Sequence, residues 1–503
     1  MPGIGRRARA DGAQEQRGGA ATACMTDRLR RWGLPAGLAL VSIGCAAAVA
    51  LVEVRDPASA APSGVGAVGT PVLSVRRLPE VVTAPIADRR LRDDLQAWAE
   101  DVAPDACAVV VGPTGEVLLD VRGDRPVVPA STHKLLTATA ALVELGHEAR
   151  FRTTAVGSPP VDGTIEGDLT LVGGGDPLLA TADYVARFER QPQTFTDLDL
   201  LAQRIAASGV RRITGSIVGD EGRYDTVRAV PGWPDRYLDQ HVIGPLSALT
   251  VNDGFAGFPA TPTGGGELVP ADDPARHAAA ILTVLLHAAG VDVAGPPRTG
   301  QAPPGAVELA AVDSPPLTDV VAQLLRESDN STAELLLKEL GRTQLDPSTA
   351  GGRTTMTTVL AEAGVDLDGV RVEDGSGLSL ADRLTCQVLV DLLRRPGTGP
   401  VLRSGLPVAG EAGTLADRFL GTPLVGHLRA KTGSLNSVAA LAGVVADGDG
   451  MLGFAYVVNA APGRGVVDEA AVVASQERLG RVLLGWPRLP DLDRLGPLPA
   501  PEG

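Results

Sequence analysis

Three short segments of this sequence combine the residue types that acyl-transfer chemistry needs. Ser131-Thr132-His133-Lys134 sets a hydroxyl and an amine three positions apart, and on a helix that spacing puts both on one face. The start of such a helix favours negative charge developing near Ser131. Burial beside a second cation would strip the Lys134 ammonium of its proton and make it a base. An arginine stays protonated and cannot serve, so it matters that Lys134, Lys338 and Lys431 are the only lysines among 45 basic residues. Ser328-Asp329-Asn330 offers a hydroxyl for proton relay and an amide able to donate to and accept from a peptide. Taken alone, that segment reads first as a polar cap before a helix. Lys431-Thr432-Gly433-Ser434 opens an apolar strand: Lys431 can hold a carboxylate, Thr432 can hydrogen-bond it, and Gly433 leaves room for close backbone approach. The edge of that strand can pair with an extended peptide. Two of the three lysines fall in two of these segments, with the Ser-x-Asn between them.

The elements that must position these residues are legible in outline. Ala87 to Glu100 has helical character. Cys107–Val111 and Glu116–Val121, joined by the turn Pro113-Thr114-Gly115, predict a hairpin. Ser131 to Leu145 predicts a helix stopped by Gly146. Short β runs and Gly-rich turns occupy 160–258, and helix-like runs return at 275–289, 317–340 and 354–363. Two apolar strands over 438–445 and 450–459 and a helix over 467–484 complete the pattern. It reads as α/β in the α+β sense, with strands from both ends of the chain in one sheet and β-rich material inserted between. The expected division is a leader at 1–55, a linker at 56–83, a first domain part at 84–159, the insertion at 160–258, a second part at 259–486, and a Pro-rich tail at 487–503.

The leader carries Arg28, Arg30 and Arg31 ahead of an apolar run from Trp32 to Val52, about the length that spans a bilayer. Positive charge before it predicts that the remainder is exported. Small residues at Ala48-Val49-Ala50 and Ala58-Ser59-Ala60 leave a cleaved signal and a retained membrane anchor both open, and Met25 is an alternative start. With 60 acidic residues and a net charge of −15, the chain repels phosphate backbones, so no nucleic-acid partner is expected. Cys107 and Cys386 lie beyond the leader; a disulfide and two separate buried thiols are both open. No Cys/His spacing suits zinc. His133 faces away from Ser131 on a helix, and Ser376 in Asp374-Gly-Ser-Gly reads as part of a tight turn.

Taken together, the three segments resemble those of the penicilloyl-serine transferase superfamily, the penicillin-binding proteins and serine β-lactamases. More narrowly, the chain is similar to low-molecular-mass class C penicillin-binding proteins, the D-alanyl-D-alanine carboxypeptidase/endopeptidases. Gly167–Leu179, Gly244–Asp253, Asp313–Leu317 with Glu327–Asn330, and Asp374–Ser379 carry that narrower likeness. The resemblance implies a transpeptidase-like domain interrupted after the Ser-x-x-Lys helix. The interval from Ser131 to Ser328 is short for a full two-module insertion. It also implies roles: Ser131 as nucleophile, Lys134 as base, Ser328 as proton relay, Asn330 as substrate orienter, and Lys431 and Thr432 as carboxylate binders. The amides of Ser131 and Ser434 would form the oxyanion hole next to Gly433. Peptidoglycan stem peptides and β-lactams are the implied partners, outside the cytoplasmic membrane, with no cofactor. A serine β-lactamase or esterase of the same superfamily is the alternative, and a non-catalytic wall-binding protein a further one.

Overall fold

The computed structural model describes residues 79–261, 266–447 and 450–487. The apolar run at 32–52 and the tail beyond 487 lie outside those residues. Among the described residues no helix is long and apolar enough to cross a membrane. In chain order, α1 (Pro79–Ala99) leads to β1 (Ala106–Val111), β2 (Val117–Val121), a 3₁₀ turn over Ala130–His133, and α2 (Lys134–Leu145). Next come β3 (Arg152–Gly157), β4 (Leu169–Val172), α3 (Leu198–Ala207), β5 (Ile217–Asp220), α4 (Pro274–Ala288), β6 (Arg298–Thr299) and β7 (Val307–Asp313). The chain returns through α5 (Leu317–Glu327), α6 (Asn330–Thr343), α7 (Thr349–Glu362) and α8 (Cys386–Arg394). It closes with β8 (Leu428–Leu435), β9 (Val438–Asp447), β10 (Gly450–Asn459) and α9 (Glu469–Leu484). The first helix starts at Pro79, inside the stretch read as linker, because proline fits the first helical position and lacks only an amide that would go unused there.

The first sheet is antiparallel in the order β8-β9-β10-β1-β2. Strands from the two ends of the chain do share it, with Ala106 opposite Val458. β1 is apolar throughout because both its faces are covered. Cys107, Val109 and Val111 pack with Leu135 and Leu136 of α2 and Leu336 of α6. Ala106, Ala108 and Val110 pack on the other side with Leu91, Leu95 and Trp98 of α1 and Leu479 and Leu483 of α9. The strand's two-residue side-chain period thus sorts one segment into two cores.

The second sheet runs β6-β5-β4-β3-β7, with Leu169, Leu171 and Ile217 packed against Leu198 and Leu201 of α3 and Leu282 and Leu286 of α4. Its strands reach from Arg152 to Asp313, wider than 160–258 on both sides. The antiparallel pairing of β3 with β7 closes it where the chain leaves and re-enters the first domain. The segment that follows β5 is tied to α6. Tyr224, Trp233, Tyr237 and Ile243 cluster with Leu335 and Leu378. The fully buried Lys338 ammonium donates to the Asp225 carboxylate and the Val227 carbonyl.

Cys107 and Cys386 are joined by a disulfide that pins β1 to the start of α8. The two are therefore bonded and are not separate buried thiols. The helix expected over 317–340 is two helices. Ser328 adopts left-handed backbone (φ 59°), ending α5, and the Asp329 carboxylate caps the Ser331 amide to start α6.

Candidate active site

The nucleophile candidate sits in the 3₁₀ turn rather than in α2, with Lys134 at the helix start. Ala130, the residue before Ser131, is held at a positive φ of 48°, a strained conformation of the kind that concentrates at functional sites. The approach to the turn is clamped to β10 by Asn459, which donates to the Val128 carbonyl (3.0 Å) and accepts from its amide (2.8 Å). Within the turn, the Thr132 hydroxyl donates to Pro129 O (2.7 Å). Ser131 stays partly open to the cleft while Thr132, His133 and Lys134 are fully buried.

The Lys134 Nζ lies 3.0 Å from Ser131 Oγ, 2.7 Å from Asn330 Oδ1 and 2.8 Å from the Ser376 carbonyl oxygen. The first two of the three expected segments therefore meet at one amine. Asn330 is itself oriented from its other end, its Nδ2 donating to the Val242 carbonyl (2.8 Å). Burial lowers Lys134 from its usual 10.5 to about 8 against the opposing charges of Asp374, Asp329 and Glu334. A lysine shifted this far holds a substantial neutral fraction near neutral pH, as a base requires.

The third segment lies in β8, an edge strand of the first sheet. Lys431 is fully buried and turned inward, donating to Ser328 Oγ (2.8 Å) and the Thr432 carbonyl (2.8 Å). Burial, then the neighbouring Lys134 charge, pushes Lys431 well below the usual lysine range. Thr432 Oγ1 is 2.8 Å from Thr414 Oγ1. A β-carbon on Gly433 would lie 2.9 Å from the Pro129 carbonyl oxygen and 3.3 Å from Ala130 Cβ, so β8 runs hard against the strained turn. Ser434 is exposed and faces Glu469, 3.5 Å away.

An open cleft of about 430 Å³ is lined by Ser131, Ser328, Asn330 and Ser434, with Tyr237 and Val242 on the wall from the segment tied to α6. Of the eight expected residues, Ser131, Ser328, Asn330 and Ser434 line this cleft, Lys134 and Lys431 are hydrogen-bonded to lining residues, and Thr432 and Gly433 stand between Lys431 and Ser434 in β8. Val242 and the Ser376 carbonyl were missed, since a backbone oxygen leaves no mark in residue type. His133 is buried against Gly375, 3.4 Å from its carbonyl, and does not join the Ser131 cluster.

The D-Ala-D-Ala carboxypeptidase 3 (S13) family matches this chain over residues 91–271 and 257–478. A D-alanyl-D-alanine carboxypeptidase of Actinomadura sp. (strain R39) is 30% identical over 472 residues, covering 78% of this chain and 85% of its own length. A carboxypeptidase of Mycobacterium tuberculosis is 35% identical over 374 residues, covering 71% and 77%. Among solved structures, penicillin-binding protein 4 of Haemophilus influenzae superposes with a TM-score of 0.63 over 77% of this chain and 99% of its own, at 21% identity, a likeness of fold. With the family match covering most of the chain, this protein belongs to the D-Ala-D-Ala carboxypeptidase 3 (S13) family of serine peptidases.

Proposed function

We propose that the cleft carries out carboxypeptidase chemistry on D-alanyl-D-alanine stem peptides through an ester on Ser131. Lys134 takes the hydroxyl proton as Ser131 Oγ bonds to the penultimate D-Ala carbonyl carbon. The C–N bond to the terminal D-Ala then breaks, and Ser328, held by Lys431, relays to the leaving amine the proton that Lys134 had taken. Water hydrolyses the ester and restores the hydroxyl. Asn330 orients the peptide, and Thr432 and Ser434 meet the terminal carboxylate beside Gly433. Lys431, which donates to Ser328, is proposed to draw the same carboxylate with its charge. The amides of Ser131 and Ser434 receive the developing oxyanion.

The observation that carries this reading is the 3.0 Å approach of the buried Lys134 Nζ to Ser131 Oγ. The wild-type protein is expected to release D-Ala from diacetyl-Lys-D-Ala-D-Ala and to take up fluorescent penicillin, with the adduct mapped to Ser131 by mass spectrometry. Ser131→Ala abolishes both. Labelling that persists in that variant refutes the assignment, while rapid penicillin turnover without D-Ala release marks a β-lactamase. The peptidoglycan substrate places the enzyme outside the cytoplasmic membrane, in keeping with the disulfide, since disulfides persist in oxidising compartments. The run at 32–52 is proposed to direct that export, as signal or anchor. The strands Arg152 to Asp313 are proposed to form the inserted module.

A further inference from the structure

We infer that Asp374 is a positioning residue for acylation: it sets the 374–379 turn so that the Ser376 carbonyl takes a hydrogen of Lys134 and turns the amine's lone pair toward Ser131. The inference rests on reading Ser131 and Lys134 as nucleophile and base. A neutral amine has two hydrogens and one lone pair, and the Lys134 nitrogen has three partners. Two of them, Asn330 Oδ1 and the Ser376 carbonyl, can only accept. Asn330 cannot flip to donate, because its Nδ2 is engaged by the Val242 carbonyl. Both hydrogens are therefore drawn to the acceptors, and the lone pair is left facing the Ser131 hydroxyl, the one partner able to donate. Without the Ser376 carbonyl a hydrogen would be free to turn toward Ser131 Oγ, and the base would face its substrate proton the wrong way round.

What holds that carbonyl is a buried carboxylate cradle. Asp374 is fully buried. Its Oδ1 accepts from the Gly377 amide (2.7 Å), and its Oδ2 accepts from the Ser379 amide (2.7 Å) and the Trp233 indole (2.8 Å). Glu334 of α6 accepts from the Gly375 and Ser376 amides (3.0 and 2.8 Å). The Thr137 hydroxyl of α2 donates to the Gly375 carbonyl (2.6 Å). Gly377 closes the turn at φ 81°, where a β-carbon would strike the Ala130 carbonyl oxygen, so the turn is wedged directly against the segment that presents Ser131. Trp233 brings the segment tied to α6 into the same assembly.

The charges around Lys134 give the test a readout that folding alone does not move. Asp374, Asp329 and Glu334 all raise the Lys134 pKa, Asp374 most. Lys431 and His133 are further titratable neighbours, and Asp382 stands behind Asp374, its carboxyl pushed up to about 10 by burial and then by Asp374. Asp374→Asn puts an amide where three N–H groups now converge and removes the charge. The experiment measures the second-order rate of fluorescent-penicillin acylation against pH, with the adduct site confirmed by mass spectrometry. Ser131 is expected to remain the labelled residue while the plateau rate falls roughly tenfold to a hundredfold and the acid-limb midpoint moves to lower pH. Trp233→Phe, which deletes one donor and keeps the apolar bulk, gives a smaller fall in the plateau. A plateau unchanged in both variants, or an Asp374→Asn plateau that falls with its midpoint fixed, overturns the positioning role. A wild-type adduct on a residue other than Ser131 overturns the underlying assignment instead.

Discussion

Lys134 and Lys431 show how far residue type alone can be trusted. A lysine where 42 other basic positions carry arginine reports a need for a titratable amine, and that need is met at Lys134 by burial and three short contacts. The acylation rate is accordingly expected to rise roughly tenfold per pH unit below about 8 and to level above it, because protonation removes the base; stopped-flow acylation across that range checks it. Lys134→Arg is expected to leave at most about one part in a hundred of the rate, since a guanidinium accepts no proton; near-normal labelling would remove Lys134 from the role. Lys431 is the second case. Its type pointed to a carboxylate clamp, and the structure adds what type could not show, that it is enclosed and donates to Ser328, because side-chain direction is a matter of strand register and not of composition.

At the scale of elements, the apolar patterns were readable and the breaks between them were not. The hairpin, the terminal strands and α2 follow periodicity, but the helical run expected over 317–340 is interrupted where Ser328 takes a left-handed turn. The cost of that conformation is met by Lys431 and by the Asp329 cap, partners distant in the chain or visible only once the helix has ended. The same holds for the turn over 374–379, whose tightness was evident and whose contact with Lys134 was not. Gly433 gives this scale its prediction. Gly433→Ala is expected to push β8 off Pro129 and Ala130 and to cut penicillin acylation roughly tenfold to a hundredfold, with the melting temperature lowered far less; a variant acylating at the wild-type rate would show that the strand has slack there.

For the whole molecule, the sequence indicated an interruption but not the pairing at its mouth, because β3 and β7 pair across 150 residues or more and neither strand reads as part of the insertion by itself. The disulfide was undecidable for a similar reason: Cys107 and Cys386 are 279 residues apart, and no local pattern links them. Replacing both by alanine is expected to destabilise the protein on the order of 2–5 kcal/mol, read as a lower urea midpoint than the oxidised wild type, whereas reducing agent is expected to leave the double variant unaffected. An equal shift of both proteins by reductant would place the effect elsewhere.

The pairing of β1 with β10 has a consequence for timing. The floor beneath Ser131 is secured by Asn459, so a polypeptide emerging N-terminus first presents its hydroxyl hundreds of residues before it owns the strand that steadies it. Such long-range closure is slow. A nascent chain therefore carries the Ser131 hydroxyl without that clamp until its last strands have been made.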